Sequence, residues 1–178
     1  MRIISGSHKG RRIQAPKKLP VRPTTDIAKE GLFNILANRF DFDSINALDL
    51  FSGTGNISFE LASRGVEEVV AIDHTPACVA FIARTAEAFG FDIDVKTSEV
   101  QRFVERETRT FDLIFADPPY DFTVDQLLTI ADVVMKRSLL KSDGVLVIEH
   151  SKHTDLSQHS CFENKRSYGN SVFSFFGQ

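Results

Sequence analysis

From residue 46 onward, hydrophobic positions fall in short, nearly continuous blocks separated by amphipathic stretches. Residues 47–51, 69–73, 93–95, 113–117 and 145–149 read as strands, because apolar and β-branched residues dominate each block. Between them, residues 57–63, 76–89, 99–107 and 124–140 carry helical periodicity, with Pro76 placed to open the second of these helices. The turn Ser142-Asp143-Gly144 opens the fifth strand. Residues 162–165 and 171–176 add two final strands around Tyr168-Gly169-Asn170. Continuous apolar strands alternating with helices predict an α/β fold of Rossmann-like type: a mostly parallel seven-stranded sheet covered on both faces.

The first 45 residues differ. Arg2-Ile3-Ile4-Ser5 and Arg11-Arg12-Ile13-Gln14 alternate around Gly6 and Gly10, the pattern of a small hairpin. A linker with Pro16, Pro20 and Pro23 follows, and Thr24-Thr25-Asp26 offers caps to a helix reaching about Phe40, with Ile27, Gly31, Leu32 and Ile35 on one face. The expected organisation is a hairpin and linker over 1–24 and one α/β domain over 25–178.

Charge sharpens that division. The net charge of −3 hides a segment, residues 1–25, with seven basic side chains and no acid, which leaves 14 basic against 24 acidic residues elsewhere. A basic arm on an acidic body suits a phosphate-bearing partner met at one end, although a solvated tail has the same composition. No apolar run approaches the roughly 18 residues of a membrane helix, and the first residues, MRIISGSHKGRR, lack the apolar core of a signal peptide. Cys78 and Cys161 lie far apart in no metal-like spacing, as expected of a cytoplasmic protein with no metal centre.

In an open α/β sheet, ligands sit beyond the carboxyl ends of the strands at the point where strand order reverses. Asp49, Asp73 and Asp117 all fall at such ends. Phe51-Ser52-Gly53-Thr54-Gly55-Asn56 follows the first strand, and its glycines permit a tight turn with close backbone approach to a ligand. Asp73, twenty residues after Gly53, can accept both hydroxyls of a ribose or simply cap the helix that follows. The third glycine of a dinucleotide fingerprint would fall at Ser58, which disfavours a nicotinamide-linked enzyme.

Asp117-Pro118-Pro119-Tyr120 ends the fourth strand. Neither proline can donate to a ladder, so the strand stops and the chain leaves in a stiff corner. The lone pair of an exocyclic base amine is delocalised into the ring, so the amine is a poor nucleophile. Acceptors aimed at its N–H groups favour the pyramidal nitrogen that attacks. Asp117 can supply one acceptor and the Pro118 carbonyl a second, while Tyr120 offers a ring for an unstacked base. The bland alternative is a strand-end Asp with a Pro-Pro breaker. Neither Cys directly follows a proline at a strand end, which disfavours a cytosine C5 enzyme.

Asp49-Leu-Phe-Ser-Gly-Thr-Gly55 resembles the first motif of class I S-adenosylmethionine-dependent methyltransferases, and Asp117 to Tyr120 resembles the signature of amino methyltransferases. Together with Arg2-Ile-Ile-Ser-Gly, Gly10-Arg-Arg, Arg22-Pro-Thr-Thr-Asp26, Leu32-Phe-Asn-Ile-Leu36, Glu149-His-Ser151 and Lys165-Arg-Ser-Tyr-Gly169, they resemble the bacterial small-subunit ribosomal RNA guanine-N2 methyltransferases (RsmD-like) over essentially the whole chain. The resemblance implies S-adenosyl-L-methionine as cofactor, with Asp49, Phe51, Gly53, Gly55, Asp73, Glu99 and Val100 around it. It implies catalysis at Asp117, Pro118, Pro119 and Tyr120. It also implies ribosomal RNA as partner, met by Arg2, Lys9, Arg11, Arg12, Arg22 and Thr24. Ile27 stands where Arg is usual, Asn56 where a small residue is common, Gly31 interrupts a helix and Ser167 departs from the tail motif. Two other functions stay open on the residues: an adenine-N6 methyltransferase, and a non-catalytic RNA-binding module on the same scaffold.

Overall fold

The structure, a computed structural model, describes residues 1–16 and 25–177. Arg22 and Thr24, both expected to face RNA, lie outside the described residues. Seven strands form one sheet in the order β3-β2-β1-β4-β5-β7-β6. They are β1 Asn46–Leu50, β2 Glu68–Asp73, β3 Ile93–Thr97, β4 Phe111–Ala116, β5 Leu140–Ser151, β6 Phe162–Tyr168 and β7 Ser171–Phe176. The first five are parallel, while β7 pairs antiparallel with β5 and with β6. Strand order reverses at β1, which has β2 on one side and β4 on the other, so the crevice lies above Leu50 and its register partner Ala116.

The helices are α1 Asp26–Leu36, α2 Asn56–Ser63, α3 Pro76–Phe89, α4 Val100–Val104 and α5 Val124–Lys136. Alternation along β1 divides the core: Leu48 and Leu50 pack beneath α4 and α5 with Ile114, Leu127, Val134 and Phe176. Ala47 packs on the opposite face with Leu32, Phe33 and Leu36 of α1 and Ile57 and Leu61 of α2. Asp49 points to this second face, towards α2.

The N-terminal strands form a narrow antiparallel ladder, with an Arg2–Arg12 bridge and bonds from Ile3 N to Arg11 O and from Gly10 N to Ile3 O, both 2.9 Å. Ile3 and Ile13 turn inward against Phe59 of α2 and Phe81 and Ile82 of α3. The hairpin thus rests on the helix that follows the glycine turn.

Several boundaries differ from the sequence expectation. α1 stops at Leu36, not near Phe40, because the Asn38 side chain takes the Asn34 carbonyl at 3.0 Å and the Asn38 and Arg39 amides turn back to Ile35 and Leu36. Its buried face is Ala28, Lys29, Leu32, Phe33 and Leu36, one position round from the face expected, and Ile27 is 76% exposed. A lysine in the buried stripe disguised the true period. α4 and α5 end earlier than expected, at Val104 and Lys136. Residues 142–144 are not a turn before β5 but an irregularity within it, where the pairing register shifts between Phe111 and Leu113.

Gly31 has a reason for being in a helix. A Cβ at that position would lie 2.2 Å from the Tyr168 ring, so the tail motif and α1 can meet only if residue 31 has no side chain. Tyr168 in turn lies 5.9 Å, centroid to centroid, from Phe173 in the core.

Candidate active site

The crevice is walled by two loops, one after β1 and one after β4. After β1 the chain reverses sharply: Phe51 has φ 60°, Gly53 φ 52° and Gly55 φ 76°. A non-glycine residue in left-handed conformation costs on the order of 1–3 kcal/mol, so the fold over-determines Phe51. Its ring sits edge-on to Phe122 at 5.7 Å, which joins the turn to the loop carrying Asp117. Ser52 N bonds to Ile72 O at 2.9 Å and Gly55 N to Ser52 O at 2.7 Å, which close the turn against β2.

Asp73, the last residue of β2, spans two loops. One carboxylate oxygen accepts from Gly53 N and the other from Thr75 N, each at 2.8 Å. Each oxygen takes one backbone amide and keeps acceptor capacity, so these two bonds leave the carboxylate able to accept from further hydroxyls. Ser98 N bonds to Asp73 O at 3.0 Å, which brings the loop after β3 alongside. Glu99 there is exposed, and its side chain makes no capping bond to α4, whereas Val100 is buried. The carboxylate faces solvent beside an apolar floor.

Asp49 is buried and accepts from the amide of Ser58 at 3.0 Å and from the Ser58 hydroxyl as well. Burial pushes its carboxyl up to about 7, against these two bonds, and the Asp73 charge adds to the rise. Ser58, which occupies the place of a third glycine, thus has a role that its position in the motif did not reveal.

Across the crevice, Asp117 N reaches Leu50 O at 3.4 Å, which sets Asp117 one residue beyond the last pair of β1 and β4. Pro118 is buried, Pro119 exposed, and Tyr120 53% exposed. Phe122 N bonds to Pro119 O at 3.0 Å and completes the corner. Burial foremost, then the charges of Glu149 and Asp49, holds the Asp117 carboxyl well above the usual range. Glu149, on β5, is itself buried, and the strand-end rule that found the three aspartates could have found it too. His150 is buried between Ser151 O and the Ser174 hydroxyl, at 2.9 and 2.7 Å, and burial lowers its pKa. It is scaffold.

The structure therefore gathers Asp49, Phe51, Gly53, Gly55, Asp73, Glu99, Val100 and the Asp117–Tyr120 corner at one end of the sheet. This donor set suits a ribosyl sulfonium cofactor: acceptors stand at the ends of β1 and β2, backbone approaches closely at the turn, and no phosphate site is needed. The basic hairpin residues lie apart from this group. Lys9, Arg11 and Arg12 are exposed; Arg11 stacks over Phe89 at 5.4 Å, and Arg2 pairs with Asp26 at 3.2 Å. Among the described residues no cluster of His, Cys, Asp and Glu could hold a metal ion, and no helix is long and apolar enough to cross a membrane.

Known proteins resemble this chain in sequence and in fold. In Bacillus subtilis, the protein named "Putative rRNA methyltransferase YlbH" is 34% identical over 165 residues, 89% of this chain and 86% of its own. "Ribosomal RNA small subunit methyltransferase D" of Buchnera aphidicola is 29% identical over 150 residues, 84% of this chain and 75% of its own. Among solved structures, a Thermus thermophilus 16S rRNA N2 G1207 methyltransferase (RsmC), in complex with AdoMet and guanosine, superposes with a TM-score of 0.69 at 23% identity. The match covers 87% of this chain and 44% of that one. The family model described as Conserved hypothetical protein 95 matches residues 1–177. The chain belongs to that family, the RsmD-like ribosomal RNA methyltransferases of the class I fold.

Proposed function

We propose that this protein methylates the exocyclic N2 amine of a guanine in small-subunit ribosomal RNA, with S-adenosylmethionine as donor. The observation that carries the reading is the pairing of the glycine turn with the Asp117-Pro-Pro-Tyr120 corner across the β1–β4 crevice. The cofactor, when bound, supplies a methyl group activated on a sulfonium. Asp73 accepts from the ribose hydroxyls, Glu99 and Val100 meet the adenine, and Asp49 lies towards the methionine part. Asp117 accepts an N–H of the target amine and holds the nitrogen lone pair in line for attack. Pro118 and Pro119 keep that acceptor fixed, and the exposed Tyr120 ring stacks on the base.

The relatives' names supply ribosomal RNA as substrate class, and the guanosine held by the RsmC neighbour favours guanine over adenine. Arg2, Lys9, Arg11 and Arg12, with Arg22 and Thr24, contact RNA in this reading, and residues 1–24 act as the RNA-binding appendage of the domain 25–178. The test is a reaction of the purified protein with unmethylated small-subunit RNA and labelled S-adenosylmethionine, followed by nucleoside digestion. Label in N2-methylguanosine is expected. Label in N6-methyladenosine would transfer the corner to adenine chemistry, and no label would leave an RNA-binding module.

A further inference from the structure

Lys29 is the least expected residue in the core. It is 1% exposed, and its ammonium meets three acceptors: the Arg2 carbonyl at 2.7 Å, Asn56 Oδ1 at 2.8 Å and Glu60 Oε2 at 3.4 Å. An ammonium has three N–H donors, so this set uses them all. The acceptors come from two units, the hairpin and α2. Arg2 lies in the basic hairpin, Asn56 follows Gly55 and opens α2, and Glu60 lies one turn further along α2.

Glu60 extends the junction. Its carboxylate accepts from Ile4 N at 2.8 Å, Ser5 N at 3.0 Å and Arg64 Nε at 2.9 Å. Ser63, on the same helix, donates to Ser5 O at 2.7 Å and accepts from His8 N at 3.0 Å. The hairpin backbone is thus clamped along α2, the helix whose first turn carries the cofactor loop. Burial lowers the pKa of Lys29 while Glu60 opposes that shift, as for a paired charge deep in the fold. Buried ion pairs add little net stability, but breaking one leaves an uncompensated charge in the core, so displacing the hairpin along α2 is costly.

We infer that Lys29 is a positioning residue that couples engagement of RNA by the basic hairpin to the conformation of the cofactor turn, through Asn56. This rests on the functional reading above. A pull on Arg2 or its neighbours moves an acceptor of Lys29, and the same ammonium holds the side chain at the start of α2. RNA and cofactor therefore bind interdependently, and the coupling is reciprocal.

The test measures calorimetric affinity for S-adenosylhomocysteine in the full chain, with and without saturating small-subunit ribosomal RNA. For the wild type, RNA is expected to change that affinity about fivefold or more. In Lys29→Met and in Asn56→Ala the change is expected to fall below about twofold. Asn56→Ala keeps the Lys29–Glu60 pair, and a thermal melt of each variant separates the link to the turn from a general loss of folding. A wild-type protein with no change on adding RNA overturns the proposal. So do variants that lose thermal stability yet keep the wild-type ratio, because Lys29 is then only a fold residue. Absence of RNA binding sinks the functional reading and this proposal together, whereas methylation with an unaltered ratio sinks this proposal alone.

Discussion

The Asp73 carboxylate accepts the amide of Gly53 at 2.8 Å, across twenty residues of sequence. One side chain at the end of β2 therefore shapes the turn after β1 and still presents acceptor capacity to the crevice. Asp73→Ala is expected to weaken S-adenosylmethionine binding by about 1–3 kcal/mol, the cost of unmet hydroxyl partners, with further loss from a relaxed turn. RNA affinity without cofactor should stay near wild type. Calorimetry decides it: unchanged cofactor affinity removes Asp73 from the site.

Asp117→Ala should lose rate more than binding, because its acceptor matters most as the nitrogen becomes pyramidal. Single-turnover methylation at saturating RNA and cofactor is the measurement. The wild-type acid limb of the rate profile should lie above the ordinary carboxylate range, since burial and Glu149 raise the Asp117 pKa and only its ionised form accepts fully. An unaffected rate in the variant makes the corner purely structural.

Asp49 sets a pH dependence of stability. Its folded pKa of about 7 lies above the ordinary value of 3.8, so the folded state holds the proton more tightly than the unfolded chain. That contribution is complete below pH 3.8 and is lost as pH rises through about 7. Its size is at most about 4 kcal/mol, since each tenfold change in proton affinity is worth about 1.4 kcal/mol. Asp49→Asn keeps an acceptor for Ser58 and should flatten the fall in denaturation midpoint between pH 3.8 and about 7. Parallel profiles for variant and wild type would refute this assignment.

The exposed arginines of the hairpin allow a salt test. If Arg11 and Arg12 bind phosphates, replacing both with Ala should flatten the slope of log affinity for RNA against log salt by roughly 0.7–0.9 for each phosphate no longer neutralised. S-adenosylmethionine affinity in the absence of RNA should not move, and the methylated nucleoside should be the same, because phosphate contacts position rather than choose the base. A wild-type slope in the double variant makes the arm a solvated tail.

Gly31→Ala inverts the usual rule for helices. Alanine in a helix interior is ordinarily better than glycine by about 1 kcal/mol, but here its Cβ meets the Tyr168 ring at 2.2 Å. Overpacking of this kind costs about 1–3 kcal/mol, so a net loss of stability is expected by chemical denaturation. Placed in a Tyr168→Ala background, the same substitution should become neutral or stabilising. A stabilised single variant would show that Tyr168 yields without cost.

The sequence by itself determined the order and type of the elements, the glycine turn and the carboxylates at the strand ends. Parallel strands buried on both faces read as continuous apolar runs, and glycine and proline punctuate locally, so these features need no partner to be seen. Tertiary structure decided the rest. Lys29 looks like a surface residue of α1 until Glu60, Asn56 and the Arg2 carbonyl surround it. Gly31 looks like a flaw until Tyr168 packs on it, and Ser58 looks like a missing glycine until Asp49 turns towards it. Glu149 bears on Asp117 only because β5 lies beside β4. In each case the partner lies outside the local stretch that the pattern describes. Which buried polar group meets which is a property of packing and desolvation in three dimensions, and no local pattern of hydrophobic and polar residues encodes it.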